Sequence, residues 1–234
     1  MPTHTTHATV STPRTRAPDE HTEVAEPVGH PLRGRFNSAF FRVMGGYIDW
    51  HMHDRKSTAF AGLPRTVVEL GPGVGANMRY LPVGAHLVAI EPNPYMHRRL
   101  ERAAVAHGVD LEIRSVFGER IDLPDASADA VIASLVLCSV RDPGAVIAEV
   151  RRVLRPGGRF SFAEHVAARP RTPTRWTQRM LRRPWAWIFE GCSCERDLAG
   201  VIESACFASV ELSHYRIHSP FLPFNTQIAG TAIA

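Results

Sequence analysis

Residues 67–81, VVELGPGVGANMRYL, bring an apolar run with one acid to a glycine-rich loop and then to a helix-like pattern. The three glycines, Gly71, Gly73 and Gly75, occupy alternate positions. Gly71 permits a tight turn, and the other two let a ligand approach the backbone because no side chain intervenes. In doubly wound α/β folds a ligand binds at such a loop, beyond the carboxyl end of the strand. The residues of this region that we predict to contact a cofactor are Glu69, Gly71, Pro72, Gly73, Gly75 and Asn77.

Strand-like and helix-like patterns alternate along the rest of the chain. The segments that we predict as strands are 66–70, 86–91, 111–116, the start of 128–138, 159–166, 209–217 and 226–234. The segments that we predict as helices are 94–108, 144–154 and about 196–205. Such alternation predicts an α/β fold, with a mainly parallel sheet and helices on both of its faces.

We expect one domain at 31–234, preceded by a tail. Residues 1–30 are rich in Thr, Pro and His with few large apolar residues, so they cannot bury enough surface to fold, and we predict disorder. Apolar residues at helical spacing in 31–62 predict a helical lid, with Gly45-Gly46 as a break. The arginine- and tryptophan-rich insertion at 167–195 predicts a second lid.

The composition and the charge limit the classes of protein to which the chain can belong. The 234 residues carry a net charge of +4, and 44% are hydrophobic, as in ordinary soluble proteins. No apolar run approaches the ~20 residues of a membrane span and the N-terminus has no apolar signal region, so we expect a cytoplasmic protein without stable membrane insertion. The arginine cluster at 169–184 is not part of a known nucleic-acid module, and we expect no nucleic-acid partner. The oligomeric state is left open.

Potential metal ligands occur in two short stretches, and we predict no metal site. Cys192-Ser193-Cys194 does not have the C-x-x-C spacing of zinc and redox sites. His51 and His53 alternate along a predicted helix and would point in different directions. The chain has too few cysteines for a disulfide scaffold, so reduced, partly buried thiols are expected.

The glycine loop suits a cationic cofactor better than a dinucleotide. The G-x-G-x-G pattern at 71–75 departs from the dinucleotide fingerprint G-x-G-x-x-G. Glu69 would repel a pyrophosphate but suits the ammonium and sulfonium of S-adenosylmethionine. Glu91, followed by Pro92, ends the second strand, where an acid can accept hydrogen bonds from ribose hydroxyls. We therefore predict S-adenosyl-L-methionine as cofactor, with a plain strand–turn–helix that binds nothing as the alternative.

Residues 111–140, LEIRSVFGERIDLPDASADAVIASLVLCSV, resemble the third and fourth motif region of class I methyltransferases. LRPGGRF at 154–160 is similar to the turn into their fifth strand. The resemblance covers roughly residues 60–165 and implies a Rossmann-like class I methyltransferase fold with a seven-stranded sheet. Many relatives carry an acid near the position of Phe117, so this chain would hold adenine by backbone groups and packing. The further cofactor contacts that the resemblance implies are Phe117, Gly118, Glu119 and Leu135.

Three stretches resemble the alkyl thiol S-methyltransferases of vertebrates, the methyltransferase-like seven family. They are SLVLCSV at 134–140, RRVLRPGGRFSFAEHVAA at 151–168 and FEGCSCERD at 189–197. The similar positions on the substrate side are Cys138, Glu164-His165, Glu190-Gly191-Cys192 and Arg196. The vertebrate proteins begin with an apolar membrane-associating segment, which a polar tail replaces here. The resemblance implies a small, apolar thiol as the methyl acceptor.

The acceptor chemistry decides whether a general base is needed. A thiol has a pKa of about 8.5 and is partly ionised at neutral pH, so it needs little help. A phenol or hydroxyl of a secondary metabolite needs a base more, and such an O-methyltransferase is the alternative. A cofactor-binding module without catalysis is the third possibility. His165, just past the fifth strand, is the candidate base; a hydrogen bond to a loop carbonyl is its other possible role, and Glu164 alternates to the opposite face.

The candidate contacts to the acceptor come from the lids and from the end of the fourth strand. They are Tyr47, Trp187 and Cys138. Cys138 is given a packing role rather than a nucleophilic one, because direct methyl transfer needs no covalent enzyme intermediate. The aromatic residues that would line an apolar acceptor pocket, or else pack the lid on the core, are Trp176, Trp185, Trp187 and Phe189.

Overall fold

The computed structural model describes residues 31–189 and 191–234, so the tail predicted to be disordered, 1–30, lies outside the described residues. Seven strands form one sheet in the order β3-β2-β1-β4-β5-β7-β6. They are β1 (Thr66–Leu70), β2 (His86–Ile90), β3 (Asp110–Arg114), β4 (Ala128–Ser134), β5 (Leu154–His165), β6 (Ser209–Arg216) and β7 (Thr226–Ile233). The first five strands are parallel, and β7 is antiparallel to both of its neighbours. The predicted mainly parallel, seven-stranded α/β fold is confirmed.

Five α-helices complete the described part of the chain. They are α1 (Pro31–Ala59), α2 (Pro94–His107), α3 (Pro143–Val153), α4 (Pro173–Ile188) and α5 (Leu198–Glu203). Local chemistry sets where α2 and α3 begin: each has proline in its first turn and an N-cap side chain, Asn93 or Asp142, that accepts a backbone N–H. The left-handed Gly108 ends α2.

Apolar side chains cover the sheet on both faces. Along β1, Val68 and Leu70 belong to a buried cluster that includes residues of α3 and α5, whereas Val67 belongs to one that includes residues of α2 and the end of α1. Successive side chains of a strand point to opposite faces, so each buried strand supplies both clusters. This double layer holds the carboxyl ends of the parallel strands at one edge, where the site lies.

The structure differs from the sequence prediction in three places. The break predicted at Gly45-Gly46 is wrong, because α1 continues through both glycines and is anchored further on by the buried side chains of Met52 and Phe60. A short 3-10 turn, Met78–Tyr80, follows the glycine loop instead of a full helix. The strand predicted to start at residue 159 begins at Leu154, with a register shift against β4 that accommodates the Pro-Gly-Gly segment.

Within the described residues, none of the helices combines the length and the apolar character that a membrane crossing needs.

Candidate active site

A cavity of about 840 Å³ opens at the carboxyl edge of the sheet. The last residues of four parallel strands line it: Leu70, Ile90, Ser134 and His165. Parallel strands end at one edge, and the strand order reverses between β1 and β4, which is where α/β folds bind ligands. The cavity has the size and the mixed apolar and polar lining of a small-molecule site.

The three loop glycines have different reasons to be glycine. All three have positive φ, +54° at Gly71, +57° at Gly73 and +86° at Gly75. A Cβ at Gly71 would lie 2.5 Å from Val136 Cγ2, and one at Gly75 would lie 2.7 Å from Ala103 Cβ. A Cβ at Gly73 would meet no atom within 4 Å, because that position faces the open cavity. Gly71 and Gly75 therefore permit packing of the loop, and Gly73 leaves room for a ligand.

Glu91 connects the second strand to the glycine loop. Its Oε2 accepts a hydrogen bond of 2.9 Å from the Gly73 backbone N–H, and its Oε1 accepts one of 2.9 Å from Asn93 N–H. Glu91 and Pro92 both line the cavity, next to the open position at Gly73. The carboxylate that the sequence assigns to ribose binding thus also orders the loop.

Glu69 is buried behind the loop and is not among the residues that line the cavity. Asn77, which does line it, donates from Nδ2 to Glu69 Oε1 at 2.6 Å. Glu69 Oε2 has no hydrogen-bond partner among the described residues. Burial raises the pKa of Glu69 to about 7, against the opposing effects of Asn77 and Lys56. This end of the cavity therefore has an unsatisfied carboxyl group just behind its wall.

A buried ion pair beside Glu69 is not found by the sequence analysis. Lys56 Nζ donates to Asp49 Oδ1 at 2.7 Å, and both residues line the cavity. Arg79 and Tyr80 also donate to the Asp49 carboxylate. Asp49 and Lys56 are seven residues apart in α1, a spacing that puts both on one helix face, and this is the signal that could have identified them. Burial lowers the pKa of Lys56, while Asp49 acts in the opposite direction.

The further residues that the resemblance assigns to the cofactor all line the cavity. They are Phe117, Gly118, Glu119 and Leu135. Glu119 Oε1 accepts hydrogen bonds from the backbone of Arg141 at 2.8 Å and Asp142 at 3.3 Å, and the Arg141 guanidinium lies 5.2 Å from the centre of the Phe117 ring. Leu135 has a φ of +58°, a strained conformation of the kind that occurs at ligand sites.

Two cysteines and a histidine meet in the cavity wall beyond the ends of β4 and β5. His165 Nε2 lies 3.0 Å from Cys192 Sγ, which lies 3.6 Å from Cys138 Sγ. Trp185 Nε1–H also donates to Cys192 Sγ, at 3.2 Å. All four residues line the cavity. The structure thus brings the predicted His165 and Cys138 together with Cys192, which the resemblance also places on the substrate side.

The ionisation of these groups is shifted by their contacts. The contact between the two sulfurs lowers the pKa of Cys192, and His165 acts in the same direction while burial opposes them. That contact and burial raise the pKa of Cys138. Burial by itself would lower the pKa of His165, but the adjacent Cys192 sulfur outweighs it and the net shift is upward. Cys192 is therefore the sulfur that the surroundings favour as a thiolate.

The buried Glu164 side chain binds the loop that follows β4. Its Oε1 accepts backbone hydrogen bonds from Val136 at 2.9 Å and Leu137 at 3.0 Å, which fixes the loop that carries Cys138. Arg196 donates to the Leu137 carbonyl of the same loop at 2.9 Å. Glu164 and His165 are consecutive in β5, and both side chains are buried. Glu190, which the resemblance places on the substrate side, lies outside the described residues.

The lid aromatics divide between the cavity and the surface. Trp187 lines the cavity although its side chain is 67% exposed, and Tyr47 lies outside the lining, against the His51 ring. Trp176 is 65% exposed and also lies outside the lining. The further aromatic side chains at the acceptor end are Phe40, Trp185, Phe189, Phe221 and Phe224.

The residues present fit S-adenosyl-L-methionine better than a dinucleotide. The space beside Gly73 would be closed by a side chain, and the unpartnered Oε2 of Glu69 suits a cationic group. A pyrophosphate is bound at the N-terminus of a full helix, whose dipole favours an anion. Here the loop continues into the 3-10 turn Met78–Tyr80, which has no comparable dipole.

Comparison with known proteins agrees with this geometry. The chain matches a family model described as a methyltransferase domain over residues 68–162. It is 35% identical over 180 residues to thiol S-methyltransferase TMT1B of Rattus norvegicus, covering 72% of this chain and 70% of the relative. Thiol S-methyltransferase TMT1A of Homo sapiens matches with the same identity and coverage. A SAM-dependent methyltransferase structure from Thermotoga maritima has a TM-score of 0.59 at 16% identity, covering 85% of this chain and 98% of the other, and shows the same fold.

Proposed function

The chain belongs to the class I S-adenosylmethionine-dependent methyltransferases, in the family of the thiol S-methyltransferases, and we propose that it methylates the thiol of a small, apolar molecule. It is an enzyme, and S-adenosyl-L-methionine is its cofactor. The identity of the methyl acceptor is our proposal. The name shared by the mammalian relatives supports a thiol, and so does the acceptor end of the cavity.

When bound, the cofactor supplies a methyl group attached to a positively charged sulfur. We propose that Glu91 holds the ribose hydroxyls, and that Asn77, with Glu69 behind it, meets the methionyl ammonium. Gly73 gives the open approach to the backbone. The residues proposed to flank adenine are Phe117, Gly118, Glu119 and Leu135. Two of the predicted contacts, Glu69 and Gly75, would act through the loop rather than by direct contact.

The observation that carries the acceptor proposal is the pair of His165 and Cys192 at the apolar end of the cavity. His165 Nε2 lies at hydrogen-bonding distance from a sulfur, 3.0 Å, and an aromatic side chain, Trp185, donates to that sulfur from the other side. This end is therefore suited to sulfur in a buried, apolar setting. A small apolar thiol fits such surroundings and is already partly ionised at neutral pH.

We propose that His165 is the catalytic residue that contacts the acceptor sulfur, and that Cys138 and Trp187 contact the rest of the acceptor. Tyr47, whose side chain lies outside the cavity lining, is proposed to act with the lid only. In-line transfer depends mainly on holding donor and acceptor close and aligned, an effect worth up to about 7–11 kcal/mol in the best intramolecular cases. The enclosed end formed by α4 and the β4 loop is suited to that task.

We further propose that the enzyme acts in the cytoplasm on free small molecules rather than on nucleic acid. Arg179, Arg182 and Arg183 of α4 are exposed, and the sequence around them is not that of a known nucleic-acid module. An O-methyltransferase acting on a phenol or hydroxyl of a secondary metabolite is the second candidate, because His165 is placed where a base would be needed.

The test is release of S-adenosylhomocysteine from the purified protein, with small thiols compared against phenols and alcohols of the same size and apolarity. Turnover confined to thiols is the expected result. Turnover on phenols or alcohols alone, abolished in His165→Ala, would replace the thiol proposal by the O-methyltransferase. If no tested acceptor gives release, although calorimetry shows that the cofactor binds, a cofactor-binding module without catalysis would remain.

A further inference from the structure

We propose that Cys138, His165 and Cys192 form a zinc site at the acceptor end of the cavity, and that the fourth zinc position receives the acceptor thiol. The existence of the site stands on the geometry alone, whereas its role in binding a thiol rests on the proposed function. The prediction of no metal site is based on potential ligands that are close together in sequence. These three ligands come from three separate elements instead.

Three segments distant in sequence bring the ligands together. Cys138 lies in the loop after β4, His165 is the last residue of β5, and Cys192 follows α4. Among the described residues, these three are the group whose potential ligand atoms all lie within 4.8 Å of one another. Each side chain is buried, so the cluster is not an accidental gathering of surface groups.

The distances suit a tetrahedral ion. With Zn–S bonds of about 2.3 Å and a Zn–N bond of about 2.0–2.1 Å, the ligand atoms of a tetrahedron lie roughly 3.5–3.8 Å apart. The separations here are 3.0 Å between His165 Nε2 and Cys192 Sγ and 3.6 Å between the two sulfurs. The ligand atoms of His165 and Cys138 lie within 4.8 Å of each other, so a tetrahedral ion requires shifts of the side chains towards one centre.

The donor set is one that selects zinc. Two thiolates and one imidazole are soft and borderline ligands, and three protein ligands with an open fourth position are characteristic of catalytic rather than structural zinc. All three residues line the cavity, so the open position faces the space where an acceptor would bind. With neutral histidine, two thiolates balance the charge of Zn²⁺, and the buried site carries no net charge.

Neighbouring groups are arranged as supports for the ligands. Trp185 Nε1–H donates to Cys192 Sγ at 3.2 Å, and the Ser193 backbone N–H donates to the Cys138 carbonyl at 2.8 Å. Binding through Nε2 leaves a proton on Nδ1 of His165, which has no partner among the described residues. Gln227 is its register partner on β7, and Gln227 Oε1 is likewise buried without a described partner. Metal-bound histidines normally make such a second hydrogen bond, and Gln227 is the neighbouring residue with a buried acceptor to offer it.

Zinc would favour loss of the proton from the acceptor thiol. The S–H bond of the acceptor breaks, an S–Zn bond forms, the electron pair stays on sulfur and the proton leaves to solvent. No oxidant or reductant takes part. A thiol that coordinates zinc is deprotonated at neutral pH, so its sulfur is a nucleophile without a separate base. In this arrangement His165 acts as a ligand rather than as a free base.

The first test is the zinc content of the full-length protein, purified under reducing conditions and dialysed against a weak chelator. Wild type is expected to retain one zinc ion per chain. Cys138→Ser and Cys192→Ser are expected to lose it. The matched controls are Cys194→Ser, which removes a buried thiol outside the cluster, and Cys206→Ser, which removes an exposed one; both should retain zinc.

A second measurement separates ligand loss from misfolding. Co²⁺ replaces zinc and gives a thiolate-to-metal charge-transfer absorption, which we expect in wild type and in Cys194→Ser but at reduced intensity or absent in Cys138→Ser. S-adenosylhomocysteine binding by calorimetry should persist in Cys138→Ser, because the hydroxyl is close in size to the thiol and Cys138 is not among the residues proposed to hold the cofactor. Substoichiometric zinc in wild type, or equal zinc in wild type and Cys192→Ser, would overturn the metal site.

The possible outcomes distinguish a failure of the metal site from a failure of the proposed function. Stoichiometric zinc with no turnover on any thiol would support the site and contradict thiol methylation. Thiol turnover that is unchanged in protein shown to lack zinc would overturn the inference and leave the proposed function standing.

Discussion

Two glutamates end or nearly end neighbouring strands, and their surroundings give them different tasks. Glu91 accepts two backbone hydrogen bonds at the cavity wall and thereby fixes the glycine loop. Glu69 is buried with a single described hydrogen bond to Asn77, and burial raises its pKa to about 7. Glu91 thus lies where it can contact a ligand, whereas Glu69 titrates near neutrality behind the cavity wall.

Glu91→Gln should weaken binding of S-adenosylhomocysteine about 10–100-fold, measured by calorimetry. The carboxylate now accepts hydrogen bonds from the backbone N–H groups of Gly73 and Asn93, and the amide nitrogen of glutamine is a donor that would lose one of them. The ribose would also lose a charged acceptor. The matched control is Glu101→Gln on the exposed face of α2, which should leave the affinity as in wild type. An unchanged affinity in Glu91→Gln would remove Glu91 from the cofactor site.

The stability of the cofactor-free protein should fall between about pH 4.5 and pH 7 because of Glu69. Its pKa rises from 4.5 when unfolded to about 7 when folded, so the folded state binds the extra proton in this range. The contribution is fully present below pH 4.5, is lost as pH rises through 7 and amounts to at most about 3 kcal/mol at 1.36 kcal/mol per pKa unit. The charged groups that act on Glu69 are Lys56 and Glu91.

The measurement is the free energy of unfolding by denaturant at pH 5 and pH 8, for wild type and Glu69→Gln. The glutamine can still accept from Asn77 but cannot titrate, so the difference between the two pH values should be smaller in the variant. Other titrating groups, Lys56 and Glu91 among them, are present in both proteins. Equal pH dependence in the two proteins would contradict the raised pKa.

At the scale of elements, the acceptor end depends on how α4 is attached to the sheet. Gln178 is buried in α4 and makes three hydrogen bonds to backbone outside the helix. Its Oε1 accepts from Ala168 N–H at 2.8 Å, and its Nε2 donates to the carbonyls of Val166 and Pro223 at 3.0 Å. One side chain thereby joins the lid helix to the segment after β5 and to the turn before β7.

Gln178→Leu should reduce the free energy of unfolding by about 2–5 kcal/mol, because it leaves up to three buried backbone groups without partners. Denaturant unfolding measures this loss. Thr177→Ala is the control on the same helix, since the Thr177 hydroxyl is exposed and donates only to the Pro173 carbonyl; it should change stability by no more than about 0.5 kcal/mol. Similar losses in both variants would mean that Gln178 does not anchor the lid.

For the whole molecule, the composition of residues 1–30 predicts that they add little to stability, because they contain few large apolar residues. Removing them should leave the melting temperature within a few degrees of that of the full chain. Scanning calorimetry of the two proteins measures this. A large decrease on deletion would show that the segment packs against the domain.

Local sequence patterns were sufficient for the architecture. Short apolar runs, proline at helix starts and glycine at turns are properties of neighbouring residues, and they place the seven strands and the helices α2 and α3 within a few residues of their observed bounds. The length of α1 was not predictable in this way, because Gly45-Gly46 weakens helix propensity locally whereas the buried contacts of Met52 and Phe60 act at a distance.

The glycine loop and the acid at the end of the second strand could be assigned to a cofactor from sequence, because each function depends on backbone freedom or on a position relative to one strand. The meeting of His165, Cys192 and Cys138 could not. Cys192 is 27 residues from His165 and 54 from Cys138, and only the strand order and the docking of α4 bring their side chains together. The cofactor loop is a local feature of the chain, whereas the acceptor end exists only once distant segments have packed.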